Sequence, residues 1–113
     1  MSKMYFPDRG DVVWLNFSPK AGHEQSGRRP AVVASPKSYN KKVGLGIFCP
    51  ITSQIKGYPF EAAIPAGMSM SGVVLSDQIK SLDWRVRDAQ FVCKLPVSTM
   101  REVLKKLNTL LKE

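Results

Sequence analysis

The chain has 113 residues and a formal charge of +8, from 17 Lys+Arg against 9 Asp+Glu. That length suits a single domain spanning residues 1–113, with a real core and room for help from dimerisation, and that charge favours polyanionic partners, because neutralising phosphates releases condensed counterions. No run is long or apolar enough to span a bilayer, and the stretch Met1-Ser2-Lys3-Met4-Tyr5-Phe6-Pro7-Asp8 lacks the apolar centre of a signal peptide, which points to a cytoplasmic protein.

In chain order, Asp11 to Phe17 is β-rich and mostly apolar and predicts a first strand largely inside the core. Ser18 to Arg28 is polar and punctuated by Pro19, Gly22 and Gly27, a loop longer than a hairpin needs. Arg29 to Ala34 predicts the second strand, and Pro36 to Lys42 a polar connection with room for one helical turn. Val43 to Thr52 predicts the third strand, with Gly44 and Gly46 marking a bulge or bend. The turn Gly57-Tyr58-Pro59 leads into Phe60 to Ile64, a second loop spans Pro65 to Ser71, and Gly72 to Leu75, Asp77 to Leu82 and Phe91 to Leu95 complete the strands. Only the C-terminus is clearly helical: Met100, Val103, Leu104, Leu107, Leu110 and Leu111 share one face. Ser98 or Thr99 is placed to cap it, and Thr99 with Glu102 has capping-box spacing. The expected architecture is mainly β: a small SH3-like barrel of antiparallel strands closed by a C-terminal amphipathic helix.

The donor set argues for chemistry without a metal or other cofactor. One histidine, His23, and two cysteines far apart in sequence make no zinc pattern, and Glu24, Glu61, Asp77 and Asp83 are too scattered to suggest a magnesium site. Cys49 and Cys93 each lie in an apolar strand-like run and are expected to be reduced thiols. There is no glycine-rich phosphate loop with its lysine, and no nucleophile elbow to accompany His23 in a Ser-His-Asp triad.

The most informative stretch is Glu24-Gln25-Ser26-Gly27-Arg28-Arg29-Pro30, which runs directly into Ala31-Val32-Val33. A guanidinium grips phosphate through its planar fork, and a carboxylate can take up a proton, so the cluster suits a phosphodiester with a nucleophile beside it. Pro30 restricts Arg29 to extended backbone at the start of an apolar strand, a firmer mount than a loop. Arg28 is equally readable as a solvated charge. Thr52 ends the third strand, where a hydroxyl is either a turn former or a donor to a phosphate oxygen. Further RNA-binding candidates are Lys56 and Tyr58 in a polar turn, Lys80, and the pair Arg85 and Arg87 in Trp84-Arg85-Val86-Arg87. In that last group Trp84 is either a platform for a base or a cap on the core.

Several of these motifs together resemble the MazF/PemK toxin family: Gly10-Asp11-Val12-Val13-Trp14, Glu24 to Val33, Ser35-Pro36, Pro50-Ile51-Thr52-Ser53, Gly57-Tyr58-Pro59-Phe60 and Gly72 to Ser81. The resemblance covers essentially the whole chain, in order. It implies an SH3-like barrel with an appended helix, and a homodimeric, sequence-specific, ribosome-independent endoribonuclease encoded beside an inhibiting antitoxin. By position, Arg29 and Thr52 match the family's active-site residues, and Glu24 matches a loop carboxylate needed for activity. The implied products carry 2′,3′-cyclic phosphate and 5′-hydroxyl ends.

On this reading the 2′-hydroxyl of single-stranded RNA is the nucleophile, Glu24 its base, and Arg29 and Thr52 stabilise the phosphorane charge. Arg29 is a poor general acid, since a guanidinium holds its proton tightly; His23 is the reserve acid or base. Neighbouring arginines lower the basicity of Glu24, and a bound phosphate relieves that. Inhibition is expected from an acidic C-terminal segment of the antitoxin, laid over the basic groove with apolar side chains near Trp14 or the Ser18–Arg28 loop. The competing readings are a non-catalytic RNA-binding barrel, a structural interaction module, and a gyrase poison of the CcdB type. The last resembles this chain in fold, but its activity lies in a Trp-Gly-Ile tail, where this sequence has Leu111-Lys112-Glu113.

Overall fold

The computed structural model describes residues 4–17 and 27–112. Among the described residues, seven strands form one antiparallel, barrel-like sheet: β1 Asp11–Phe17, β2 Gly27–Val33, β3 Gly46–Thr52, β4 Glu61–Ala63, β5 Val73–Leu75, β6 Lys80–Leu82 and β7 Gln90–Lys94. Two helices, α1 Lys37–Val43 and α2 Val97–Thr109, accompany them. The strand order is β4-β5-β3-β2-β1-β7, and β6 pairs with β3. β3 therefore organises the fold. It pairs with β2 along one edge, while its other edge is shared, β6 taking Gly46 to Phe48 and β5 taking Ile51 and Thr52.

The central strands are apolar on both faces because both faces are covered. Val12, Val32, Cys49 and Ile51 point into one cluster with Ala62, Val74, Leu95, Met100 and Val103, between the sheet and α2. Val13, Leu15, Ala31, Val33 and Phe48 point the other way, into a cluster closed by Trp84. Alternation along the strand sends successive side chains to opposite clusters. Burying these side chains on both faces supplies the main driving force for the fold, at roughly 1.5–3 kcal/mol for each fully buried aliphatic or phenylalanine side chain.

Several boundaries differ from the sequence-based expectation, each for a local reason. β2 begins at Gly27 and ends at Val33, so Gly27 and Arg28 join Arg29 in the strand, and Arg28 and Arg29 pair with Asn16 and Leu15 of β1. The connection after Pro36 is a full seven-residue helix rather than one turn. Its anchor is Asn40, fully buried, whose Nδ2 donates to the carbonyls of Pro7 (2.8 Å) and Ser35 (3.0 Å) while Ser35 Oγ donates to Asn40 Oδ1 (2.6 Å). A buried amide with every polar atom paired holds a helix too short to stand alone. Gly44 is the left-handed C-cap of that helix (φ 84°), not a strand bulge, and β3 starts only at Gly46. α2 starts at Val97 behind Pro96, and no side chain caps it; Ser98 and Thr99 lie inside its first turn.

Trp84 belongs to the core. It is only 4% exposed, meets Phe6 edge-on at 5.8 Å between centroids, and donates its indole N–H to the Asn40 carbonyl at 3.1 Å. Its ring is thus not a stacking platform for a base. Cys49 is buried and Cys93 half-buried, and both are free thiols. Burial, with Asp77 nearby, pushes the Cys49 thiol up to about 12, so it is inert at neutral pH. No helix among the described residues is long and apolar enough to cross a membrane.

Candidate active site

Thr52 is the hub of three contiguous clefts. One of about 540 Å³ adds Arg28, Arg29, Ser53 and Met70; one of about 300 Å³ adds Arg29, Phe17, Gln78 and Lys80; one of about 440 Å³ adds Gln54, Lys56, Tyr58, Glu61 and Gln78. Arg29 and Thr52 come from β2 and β3, neighbouring strands, and the pairing of Ala31 with Pro50 sets their relative height. Thr52 is half-buried, and its Oγ1 accepts the Gln54 N–H at 3.1 Å. Since a hydroxyl accepts and donates, this bond leaves the proton available to a phosphate oxygen. Gly72 closes in behind: a Cβ built there would lie 2.3 Å from the Thr52 carbonyl oxygen, and its φ of +117° is one that side-chain-bearing residues rarely adopt. Only a glycine lets β5 close in this way behind Thr52; in the sequence Gly72 shows only as the glycine that opens Gly72 to Ser81.

Arg28 and Arg29 are adjacent but have different surroundings. The Arg28 guanidinium donates to Asn16 Oδ1 (2.8 Å), to the carbonyl of Asp88 (2.7 Å) and, at longer range, to the Trp14 carbonyl and Gln90 Oε1 (both 3.3 Å). It also stands 3.6 Å from the exposed Asp88 carboxylate. Its donors are thus committed to tying β1, β7 and the preceding turn together, which makes it a clamp more than a substrate contact. Arg29 sits one residue further along, on the opposite side of the strand, and borders two of the three clefts.

The turn between β3 and β4 is firmly held. Glu61 accepts the backbone N–H groups of Lys56 (3.0 Å) and Gly57 (3.1 Å), one on each carboxylate oxygen, and Lys106 of α2 donates to the Pro59 carbonyl at 2.8 Å. Tyr58 donates its hydroxyl to Asp77 Oδ2 at 2.5 Å, and that bond raises the phenol above its ordinary range. Among the described residues, Glu61 and Asp77 near the clefts accept from protein donors, and Arg29, Lys56 and Lys80 line the clefts around Thr52. This balance favours an anion. Among the described residues no group of His, Cys, Asp and Glu side chains is gathered as a metal site.

The structure separates the remaining candidates. Lys56, Tyr58 and Lys80 line the clefts that contain Thr52. Arg87 lies by the end of β1, where its Nη1 donates to the Asn16 carbonyl at 3.3 Å. Arg85 is elsewhere, over the ring of Trp84 (5.1 Å) and against Gly44 at the end of α1. Glu24 and His23 lie outside the described residues. Gln78, Glu61 and Asp77 were not singled out as site residues by the sequence reading, although each is a polar residue at the end of a short apolar run.

Comparison with known proteins agrees with this geometry. Residues 8–111 match the family described as PemK-like, MazF-like toxin of type II toxin-antitoxin system. The endoribonuclease toxin MazF of Escherichia coli K12 is 43% identical over 111 residues, covering 98% of this chain and 99% of that protein. The endoribonuclease PemK of Escherichia coli is 32% identical over 108 residues, covering 92% of this chain and 81% of that protein. Among solved structures, a MazE–MazF crystal structure from Deinococcus radiodurans (form II) superimposes with a TM-score of 0.90 at 55% identity, over 96% of this chain and 97% of that one. With the family match running from the turn before β1 to the end of α2, the chain belongs to the PemK-like, MazF-like toxins of type II toxin-antitoxin systems.

Proposed function

We propose that this chain is a sequence-specific endoribonuclease that cuts single-stranded RNA in the cytoplasm, acting as a single domain without a metal. The observation that carries the reading is the meeting of Arg29 and the Thr52 hydroxyl at one cationic cleft, in a chain whose relatives are named endoribonucleases. The substrate's 2′-hydroxyl attacks the adjacent phosphorus. Its proton passes to Glu24, an O2′–P bond forms, and the P–O5′ bond breaks. The departing O5′ takes a proton from water, Glu24 returns its proton to solvent, and the products are a 2′,3′-cyclic phosphate and a 5′-hydroxyl. Arg29 holds the non-bridging oxygens, where negative charge grows, and Thr52 donates to one of them. Purified protein in excess EDTA should cut single-stranded RNA at a defined set of sites, mapped by sequencing fragment 5′ ends, and leave duplex RNA largely intact because paired bases cannot be splayed out and read. Loss of cutting on chelation with recovery on added magnesium would sink the metal-free mechanism.

The reading extends to partners. α2 and the turn after it bring Leu104, Leu107 and Leu111 to a shallow outer cleft, and Leu111 is 72% exposed; an apolar face of this kind suits a homodimer. The MazE–MazF crystal structures supply the precedent for an antitoxin, and the positive cleft suits an acidic segment of one. The free chain should sediment as a dimer, and an acidic peptide from such a partner should compete with RNA. A monomer, or simultaneous binding of peptide and RNA, would contradict this part of the proposal.

A further inference from the structure

A second concentration of positive charge lies at the other end of β3 from Thr52. The last turn of α1 carries Lys41 and Lys42, and the helix ends at Gly44. Lys41 Nζ sits 4.9 Å above the Phe6 ring, Phe6 meets Trp84 edge-on, and the Arg85 guanidinium lies 5.1 Å from the Trp84 ring. Lys41 and Arg85 thus flank one aromatic pair whose indole is pinned to Asn40 of the same helix. Arg85 is also seated against Gly44: a Cβ there would come within 2.7 Å of its Nη2. Arg85, itself exposed, thus lies between the Trp84 ring and the backbone at Gly44.

These cations are not neutralised. Among the described residues, no carboxylate lies within ion-pair distance of Lys41, Lys42 or Arg85. The nearest acid in sequence, Asp83, turns its carboxylate back to accept the N–H groups of Arg85 and Val86, both at 3.0 Å. Strand β6 links the patch to the cleft. Lys80, which lines a cleft with Arg29 and Thr52, pairs with Phe48, and the chain then follows the β3 edge through Ser81 and Leu82, opposite Ile47 and Gly46, before reaching Arg85 beside Gly44. Six strand steps from Gly46 to Thr52 correspond to roughly 20 Å.

From this arrangement we infer that Lys41, Lys42 and Arg85 form a second phosphate-binding face, an anchor for the part of an RNA strand that extends beyond the cleavage cleft along β6. The inference rests on the nuclease reading for the identity of its ligand. A single strand is favoured because β6 runs from Lys80 at the cleft toward the patch and because, among the described residues, no ion pair or side-chain hydrogen bond occupies the Arg85 fork, which can grip phosphate oxygens. Contacts of this kind hold the strand without reading sequence, so the face should govern affinity for long RNA and leave site choice unchanged.

The test compares kcat/KM for a long single-stranded RNA with that for the shortest oligonucleotide that is still cut, using wild-type protein, Lys41→Gln/Lys42→Gln and Lys42→Glu. Lys42 makes no side-chain hydrogen bond or ion pair among the described residues, so its charge reversal should fold even if loss of the Lys41–Phe6 contact disturbs the double variant. The long-to-short ratio should fall about tenfold, and the salt dependence of long-RNA binding should weaken by about 1.4 in log–log slope for two lost contacts at about 0.7 each. An unchanged ratio, or an equal fall on both substrates, would overturn the inference. Val43 and Val86 stand exposed beside the cations, at 48% and 78%. If the variants instead lose an acidic amphipathic peptide while binding long RNA normally, the face is a protein-docking site and the inference is wrong. Wild-type protein that cuts neither RNA would count against the nuclease reading, and filter binding of the long RNA would then decide the second face by itself.

Discussion

Arg29→Ala should lower the cleavage rate by about 10²–10³ while leaving the melting temperature close to that of the wild type. The rate loss is the usual cost of removing one preorganised stabiliser of transition-state charge. The stability expectation follows from position: Arg29 is exposed, pairs with Leu15 through the β ladder, and adds nothing to either apolar cluster. Arg28→Ala provides the internal contrast. Its guanidinium bonds to Asn16, Asp88 and Gln90 and to the Trp14 carbonyl, so it should lose on the order of 1 kcal/mol of stability, with a smaller effect on the chemical step. Thr52→Ala should fall between wild type and Arg29→Ala, since a neutral hydroxyl stabilises an oxyanion less than a guanidinium does. Single-turnover kinetics on a saturating RNA would separate the chemical step from binding. A folded Arg29→Ala protein that cleaves normally would show that the wrong residue has been placed at the phosphorus.

Much of this arrangement is legible in the sequence where a single local cue dominates. β1 is visible because Val12 to Leu15 is an unbroken apolar run, and α2 because its leucines recur at helical spacing. Arg29 and Thr52 stand out because each ends or begins an apolar run with a group that binds phosphate. What is not legible depends on tertiary contacts. α1 looks like a polar connection because its single buried side chain is an asparagine, and only the folded chain supplies Pro7 and Ser35 as its partners. Trp84 is ambiguous in sequence because flanking arginines suit a nucleic-acid platform as well as a surface turn. Its burial depends on Phe6 and Asn40, which are distant in sequence. Arg28 looks equivalent to Arg29 until the fold brings Asn16, Asp88 and Gln90 around its guanidinium. Gly72 carries no chemical signal at all; its role appears only when β5 is laid against the carbonyl of Thr52.

The largest expected effect is on the substrate side. A single 2′-deoxy nucleotide immediately 5′ to the scissile phosphate should abolish cutting, because it deletes the nucleophile. Binding should persist, since Arg29, Lys56 and Lys80 meet phosphate and not that hydroxyl. The outcome also separates the competing classes: a non-catalytic binder cuts neither oligonucleotide, and an enzyme that uses water as nucleophile tolerates the deoxy sugar. The measurement is a paired time course of the all-ribo oligonucleotide and its singly deoxy counterpart, with filter binding of both to wild-type protein. Cleavage of the first only, with similar affinity for the two, is the result expected if Glu24, Arg29 and Thr52 serve 2′-hydroxyl attack. Cleavage of both at comparable rates would contradict that mechanism, recast Glu24 as the base for a water molecule, and remove the 2′,3′-cyclic product with it.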